Sequence, residues 1–435
     1  MEDVQAEKLL PSAYVSPTIH SKFPNEKLSV VDYSIDKIEP CVIYPESVDI
    51  NSKAPIDFVI HDSAGHYLDL SSLQLEVTLS LRKEDNNARP AGGDNVYFTN
   101  NLLSALFPIR KVFINNQNVE TQYAGNHIGA VNHLLKSDNK IARNRGESRG
   151  LFPIISTQIG TPVTVAICQA NNTRQTFSKK ELIHLRGYLD LDITNLNMWL
   201  VDLCSMRITL EPAGDNVIIN RPAGGDNFVT KIESIKMHIN RIKPTNGGFI
   251  STSKLLNKKP LEYLFTRHVV YSELLPSGQN SLIINRPFTN RIPSKILIFM
   301  VKQSADQGVF TEDAHYYRTN GIENYRVMID GKQLINQDVD SGNNAVSAFV
   351  NSLNAQDNAE TFIPFEVFTD GCFVLSIKTN HSQPSELAFE RKGNLAIHLK
   401  FSNNMATNQV VYVVGICHSS FEITADRNCV TNYSY

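Results

Sequence analysis

The chain has 435 residues, of which 42% are hydrophobic and 20% charged, with a formal net charge of -3. This composition excludes wholesale disorder and gives enough length for two large all-β domains. The near-neutral charge excludes a protein that wraps nucleic acid through a global basic field.

The first residues, Met1-Glu2-Asp3-Val4, are acidic where a secretory signal needs basic and then apolar residues. The expectation is synthesis in the cell interior, without secretion by a signal peptide. The clean apolar runs, Ile296–Val301 and Val410–Val414, fall far short of the roughly 20 residues that span a bilayer, so no membrane span is expected. Cys41, Cys168, Cys204, Cys372, Cys417 and Cys429 are too scattered to form a metal knuckle or redox pair. They read as free buried thiols of a reducing compartment. The glycosylation-type tripeptides at Asn171, Asn380 and Asn432 carry no weight without export.

Along the chain the pattern is β. Leu73, Leu75, Val77, Leu79 and Leu81 alternate with Gln74, Glu76, Thr78 and Ser80, a period of two that buries one face. RPAGGDN at Arg89–Asn95 has the residues of a turn. RKVFINNQNV at Arg110–Val119 reads as strand, Asn115-Asn116 turn and returning strand, and Gly129–Lys136 as a helix. RPAGGDN returns at Arg221–Asn227, with a relative, EPAGDN, at Glu211–Asn216. A strand over Ile235–Ile242 leads into Pro244-Thr245-Asn246-Gly247-Gly248, a linker by composition. The apolar runs Ile296–Val301 and Val410–Val414 fit strands covered on both faces, as where a sandwich packs against a neighbour, though a domain core explains them too. YRVMIDGKQL at Tyr325–Leu334 is a second hairpin, its Asp330-Gly331 a strong type I′ signal. Asn344–Leu353 reads as a helix, and Leu395, Ile397, Leu399 and Phe401 repeat the alternation.

The two hairpins align without gaps at an offset of 215 residues (325 minus 110), and the same offset carries Val131–Leu135 onto Val346–Val350. Hairpin followed by helix, twice at one spacing, is a duplicated domain. It should place Val112 on Val327 and Ile114 on Ile329.

The motifs of catalysis are missing. Gly92-Gly93-Asp94 lacks the Lys-Ser or Lys-Thr of a phosphate loop and is read as a turn. There is no HExxH among twelve histidines, and His61 and His66 flank a loop. Asp338, Asp340 and Gly342 suggest a calcium loop, but Phe349 stands where a bidentate Glu is required. Asp190 and Asp192 could hold a divalent cation on a strand face; a solvated strand end or helix start is the preferred reading. No GxSxG elbow is present. Lys136, Lys140, Arg143, Arg145 and Arg149, diluted by Asp138 and Glu147, read as a solvated loop, with a patch facing packaged nucleic acid as the alternative. The expectation is no catalytic, cofactor-binding or metal residue, no cofactor and no enzyme.

Several stretches resemble a known family. Pro55–Leu81 (PIDFVIHDSAGHYLDLSSLQLEVTLSL) is similar to the first strands of the major capsid proteins of Polinton or Maverick elements and adintoviruses. Asn100–Glu120, Leu185–Asn195, Leu200–Pro212 and Lys231–Pro244 resemble later segments of that family's first jelly roll. Arg291–Val301 and Glu323–Leu334 resemble its second jelly roll, and Phe389–Ile423 its C-terminal block. Trp199 and the RPAGGDN loops have no counterpart in the family pattern.

The resemblance implies an all-β chain of two tandem jelly-roll sandwiches with a few short helices in loops. The expected organisation is an N-terminal arm over 1–37, a first jelly roll over 38–243, a second over 244–428 and a tail over 429–435. It further implies a homotrimer of pseudo-hexagonal outline, tiling an icosahedral virion shell around double-stranded DNA with weak direct contact, beside a penton or minor capsid partner. The family brings no catalytic residues to carry over. The rival readings are a two-sandwich carbohydrate-binding or interaction module, disfavoured by the single Trp, and a cupin-like metal enzyme, disfavoured by the missing His-rich strand motif.

Overall fold

A computed structural model describes residues 35–46, 53–61, 63–136, 146–154, 160, 162–196, 198–339, 345–355, 365–379 and 392–433. The arm expected over 1–37 lies outside the described residues up to residue 34, as do Asp340, Gly342, Asn380, Lys140, Arg143 and Arg145.

The alternating stretches become strands. The first half runs β1 (Ile35–Ile43), β2 (Ile56–Ile60), β3 (Tyr67–Lys83), β4 (Tyr97–Phe98), β5 (Ile109–Ile114), β6 (Gln117–Gln122), β7 (Ile183–Gly187), β8 (Met206–Glu211), β9 (Ile219–Asn220) and β10 (Phe228–Pro244). One sheet has the order β1-β10-β3-β7 and the facing sheet β2-β8-β5-β6, all antiparallel. Leu73, Leu75, Val77, Leu79 and Leu81 of β3 all face the core and are at most 1% exposed, each contributing about 1.5–3 kcal/mol of burial.

The second half repeats the plan. It runs β11 (Leu261–Leu275), β12 (Ser281–Asn285), β13 (Lys295–Lys302), β14 (Tyr317–Arg318), β15 (Ile322–Ile329), β16 (Lys332–Asp338), β17 (Asp370–Gly371), β18 (Leu375–Lys378), β19 (Leu395–Phe401), β20 (Gln409–Ile423) and β21 (Cys429–Thr431). Its sheets are β11-β20-β13-β18, with β21 added to β20, and β12-β19-β15-β16. Strand for strand, both halves are eight-stranded jelly rolls with the same neighbours.

The duplication holds at single-residue resolution. Val112 pairs with Ile208 of β8, and Val327 with Ile397 of β19; Ile114 pairs with Met206, and Ile329 with Leu395. In both hairpins the returning strand carries one extra residue at the same place. Pairing steps from Val112↔Glu120 to Phe113↔Asn118, and from Val327↔Ile335 to Met328↔Gln333. The unopposed residues are Val119 and Leu334, again 215 apart. Both turns have positive φ at both central residues, 46° and 66° at Asn115 and Asn116, 49° and 75° at Asp330 and Gly331. The expected helices follow over Gly125–Lys136 and Val346–Asn354.

Three features go beyond the sequence reading. The linker segment is the start of a helix, Asn246–Leu256, because Thr245 caps it: its Oγ1 accepts the Gly248 N–H at 3.4 Å. Ile296–Val301 and Val411–Val414 are covered within the chain, without a neighbouring subunit. They belong to β13 and β20, paired at the centre of one sheet. The first-lobe helix Gly125–Lys136 lies on the face carrying Phe299 and Tyr412, with the His127 ring 5.9 and 5.0 Å from theirs. The C-terminal residues form a strand and a plug. After β21, Tyr433 is buried in the first lobe's core, its hydroxyl donating to the Val119 carbonyl and its face 4.1 Å below the Arg267 guanidinium. Cys168 and Cys372 are buried free thiols, Cys41 and Cys429 are half-buried free thiols, and Cys204 and Cys417 are buried. Among the described residues no helix is long and apolar enough to cross a membrane.

A Cβ at Gly331 would meet nothing within 4 Å, so the only obstacle to substitution there is the positive φ. Gly331→Val is expected to cost about 1–2 kcal/mol and Gly331→Asn much less, because Asn tolerates the left-handed region. The measurement is the urea unfolding midpoint of both variants; equal midpoints would contradict the backbone argument.

Candidate functional site: a buried polar seam between the two lobes

The two lobes meet through buried polar groups, and the Asp190-Asp192 pair lies at the centre. Asp190 has a φ of 56° and turns its carboxylate inward. There it accepts the Ser104 hydroxyl at 2.8 Å and an Arg149 N–H at 2.7 Å, with His133 Nε2 at 3.6 Å. Burial alone would raise this carboxyl, but Arg149, His133 and Arg110 hold it well below the usual carboxylate range. Asp192 opens a 3-10 turn, Asp192–Asn195, and is 1% exposed. It accepts the backbone N–H of His268 at 2.7 Å and pairs with His268 Nδ1 at 2.5 Å. His268 is on β11, so this contact ties the first lobe to the second.

The expectation of a solvated pair is corrected by this burial. Asp192 does start a helical turn, but its carboxylate is buried, and that of Asp190 is 16% exposed and engaged by Ser104 and Arg149. Each already has its own cationic or imidazole partner. Among the described residues no group of three or more His, Cys, Asp or Glu is arranged to hold a metal.

Sequence reasoning missed the residues beneath the pair. Glu120 on β6 is 1% exposed, and its two oxygens accept the N–H groups of Asp192 and Ile193 at 2.8 and 2.9 Å. Burial and the Asp192 charge push its carboxyl up to about 8, against those two N–H groups and Arg110. Arg110 on β5 has no exposed surface, and burial lowers it to about 10, still a cation at neutral pH. A Glu or Arg on an amphipathic hairpin gives no sequence signal of burial, because such residues are almost always exposed.

A second polar cluster crosses the seam nearby. His127 Nε2 pairs with Asp306 at 2.9 Å and its Nδ1 with the Tyr317 hydroxyl at 3.1 Å. Tyr412 donates to the same Asp306 oxygen at 2.9 Å. His315 Nδ1 meets the Asn100 carbonyl at 3.1 Å, and Thr99 donates to Asp313 at 3.0 Å. Burial, then the neighbouring His127, lowers His315 to about 4. Beside these, Val163 N–H donates to the Thr311 carbonyl at 2.6 Å and Arg221 N–H to that of Phe310 at 2.8 Å.

The RPAGGDN loops find a shared role. Their aspartates, Asp94 and Asp226, flank one cation, Lys83, at 3.1 and 2.5 Å. In the shorter EPAGDN, Asp215 instead accepts the Thr230 N–H at 2.9 Å and pairs with Lys53 at 3.1 Å. Gly92-Gly93-Asp94 is thus a turn presenting an aspartate to lysine. His66 pairs locally with Ser63 at 3.3 Å, and the His61 carbonyl accepts from Arg241. Of the basic cluster, Arg149 is committed to Asp190 and Glu147 pairs with Lys180 at 2.6 Å.

No protein-family profile matches the chain. An uncharacterized protein of Caenorhabditis elegans is 20% identical over 294 residues, 65% of this chain and 68% of that protein. Solved structures agree with the fold over nearly the whole length. A chain of the Sputnik virophage structure superposes with a TM-score of 0.61 at 12% identity, covering 98% of this chain and 93% of its own. The Faustovirus major capsid protein gives 0.57 at 10%, with 96% of each chain covered. The mavirus major capsid protein gives 0.52 at 12%, with 97% and 94% covered. At these identities the likeness establishes the double jelly roll.

The seam can be tested by substitution, by titration and by pH. Asp190→Asn should destabilise the protein by about 2–4 kcal/mol, since it leaves the buried Arg149 cation without its counter-charge. Calorimetric titration with Mg2+ or Mn2+ should show no stoichiometric site at the Asp190-Asp192 pair. For His315 the folded state holds the proton less tightly than the unfolded chain. Its stabilising contribution is therefore complete above about pH 6.5 and is lost as pH falls toward about 4. The stability gap between the native chain and His315→Gln should shrink over that window, by on the order of 3 kcal/mol. A gap independent of pH would refute the assignment.

Proposed function

We propose that this chain is the major capsid protein of a DNA virus or virus-like transposon, of the type carried by Polinton or Maverick elements and adintoviruses. The observation that carries the proposal is the coextension of two complete jelly rolls, with nothing large left over, with the Faustovirus and mavirus major capsid proteins over 94–96% of their lengths. The role is structural, without catalysis or cofactor.

In this reading three copies surround a threefold axis. Each contributes two similar lobes, so six lobes approximate a hexagon that tiles a lattice. The seam makes each subunit one rigid block, as a tile requires. β13 and the start of β20 are occupied internally, so intersubunit contacts must use other apolar surface. Ile38, Val42 and Tyr44 on and beside β1, Ile250 on the linker helix and Ile283 on β12 are all more than 40% exposed and supply it. The lobe boundary falls within the linker helix. The trimers close an icosahedral shell around double-stranded DNA, with a penton or minor capsid protein as partner, and the assembled product is the virion. With a net charge of -3 per chain, subunits repel one another weakly and bind DNA little.

Light scattering of the purified chain should give a mass three times 48.7 kDa, and electron microscopy should show hexagonal trimers or closed particles. Replacing Ile38 and Val42 together by Asp should leave the monomer folded and abolish trimers if β1 lies in the interface. A monomer across salt, pH and concentration, without particles, would remove the shell reading.

A further inference from the structure

A cavity of about 350 Å³ opens beside Asp190 where the lobes meet. Asn132, His133, Arg149 and Asn195 line it from the first lobe and His268 from the second. The shell reading gives this cavity no task.

Its wall is rich in donors. The one carboxylate in the lining, Asp190, is already engaged by Ser104 and Arg149. The Arg149 side chain is 14% exposed, and its Nε–H is buried with no hydrogen-bond partner among the described residues. A guanidinium nitrogen can only donate. His268 is in the same position: its side chain is 5% exposed, and Nε2 is buried and unpartnered among the described residues. Asp192 holds the Nδ1 edge at 2.5 Å, which fixes the ring with Nε2 on the opposite edge. Asn195, at the mouth, is exposed and offers an amide. Arg149 is the cation of the cavity wall, and burial pushes the nearby Glu120 carboxyl up, away from its charged form.

We propose that this cavity is an oxyanion site, taking one carboxylate or phosphate group that accepts hydrogen bonds from Arg149 and His268 once their buried N–H edges turn toward it. The bound group touches both lobes and so reinforces the seam. The chemistry admits two sources, a free anion such as phosphate or an acidic side chain of another polypeptide. The site depends only on the residues of this cavity, whether or not the chain builds a shell.

The test is calorimetric titration of the full chain with inorganic phosphate and with N-acetylglutamate, against sodium chloride at equal ionic strength, with thermal unfolding in parallel. One site per chain and a raised unfolding midpoint are expected for at least one of the two. Phosphate binding identifies a free anion as the occupant; N-acetylglutamate alone identifies an acidic side chain. Arg149→Gln should weaken binding at least tenfold. Asn195→Ala, at the exposed mouth where folding is safe, should weaken it severalfold. Neither ligand binding above the chloride control, or unchanged binding in both variants, would overturn the proposal.

Discussion

The architecture depends on one buried cation. Arg110 has no exposed surface, and burying a guanidinium is tolerated only when its N–H groups are met by acceptors. Here the acceptors come from separate segments. They are the carbonyls of Ser104 and Phe107 before β5, the Gln122 amide oxygen on β6, the Gly125 carbonyl at the helix start, and the Leu189 carbonyl ahead of Asp190. Each of these loops would otherwise be free to vary. Satisfying Arg110 fixes them together.

That fixation sets the helix and the turn that reach the second lobe. Gly125 begins its helix against the guanidinium, so close that a Cβ would lie 3.1 Å from Cζ and 2.9 Å from Gln122 Oε1. Only glycine allows this approach. The helix so placed carries His127 to Asp306 and Tyr317 of the second lobe, and its apolar residues Ala130, Val131, Leu134 and Leu135 into that lobe's core. The Leu189 carbonyl, held by Arg110, sets the turn that points Asp190 inward and leaves Asp192 to meet His268. In the opposite direction, Tyr263, Phe265, Phe421 and Tyr433 of the second half pack into the first lobe's core. The lobes therefore share their cores, and neither is a detachable module.

Much of this fold was legible in the sequence because strand alternation and turn chemistry are local signals. The β3 leucines, the Asp330-Gly331 turn and the 215-residue offset each needed only neighbours along the chain. The seam was illegible for the opposite reason. Nothing within ten residues of Asp192 distinguishes a solvated helix start from one whose carboxylate is held by a histidine 76 residues away. The apolar runs of β13 and β20 reported correctly that both faces are covered. They could not report that the cover is the chain's own helix and not a neighbour. The linker glycines signalled a turn, but Thr245 ahead of them made a capped helix, whose first turn tolerates glycine. The repeated RPAGGDN loops had no local rationale either, since their purpose is a lysine that precedes both of them, Lys83.

The duplication also shows how two copies of one hairpin became unequal. Gln122 and Gln337 occupy equivalent positions, and each amide oxygen accepts from its cross-strand partner. That partner is Arg110 in the first lobe and Tyr325 in the second. Tyr325 satisfies the glutamine with a single hydroxyl at 2.5 Å and leaves a core that is apolar around it. Arg110 brings a charge, and a charge demands counter-charges and carbonyls from beyond the sandwich. Glu120 likewise stands where the second lobe has Ile335. Polar groups that must be satisfied from outside are what an interface between lobes can use for register, because a misplaced partner leaves a buried charge unpaired, at a cost of several kcal/mol. An apolar seam would adhere as well but slide more readily. The substitution of Arg for Tyr at one position of a repeated hairpin thus separates a lobe that only folds from a lobe that also positions its twin.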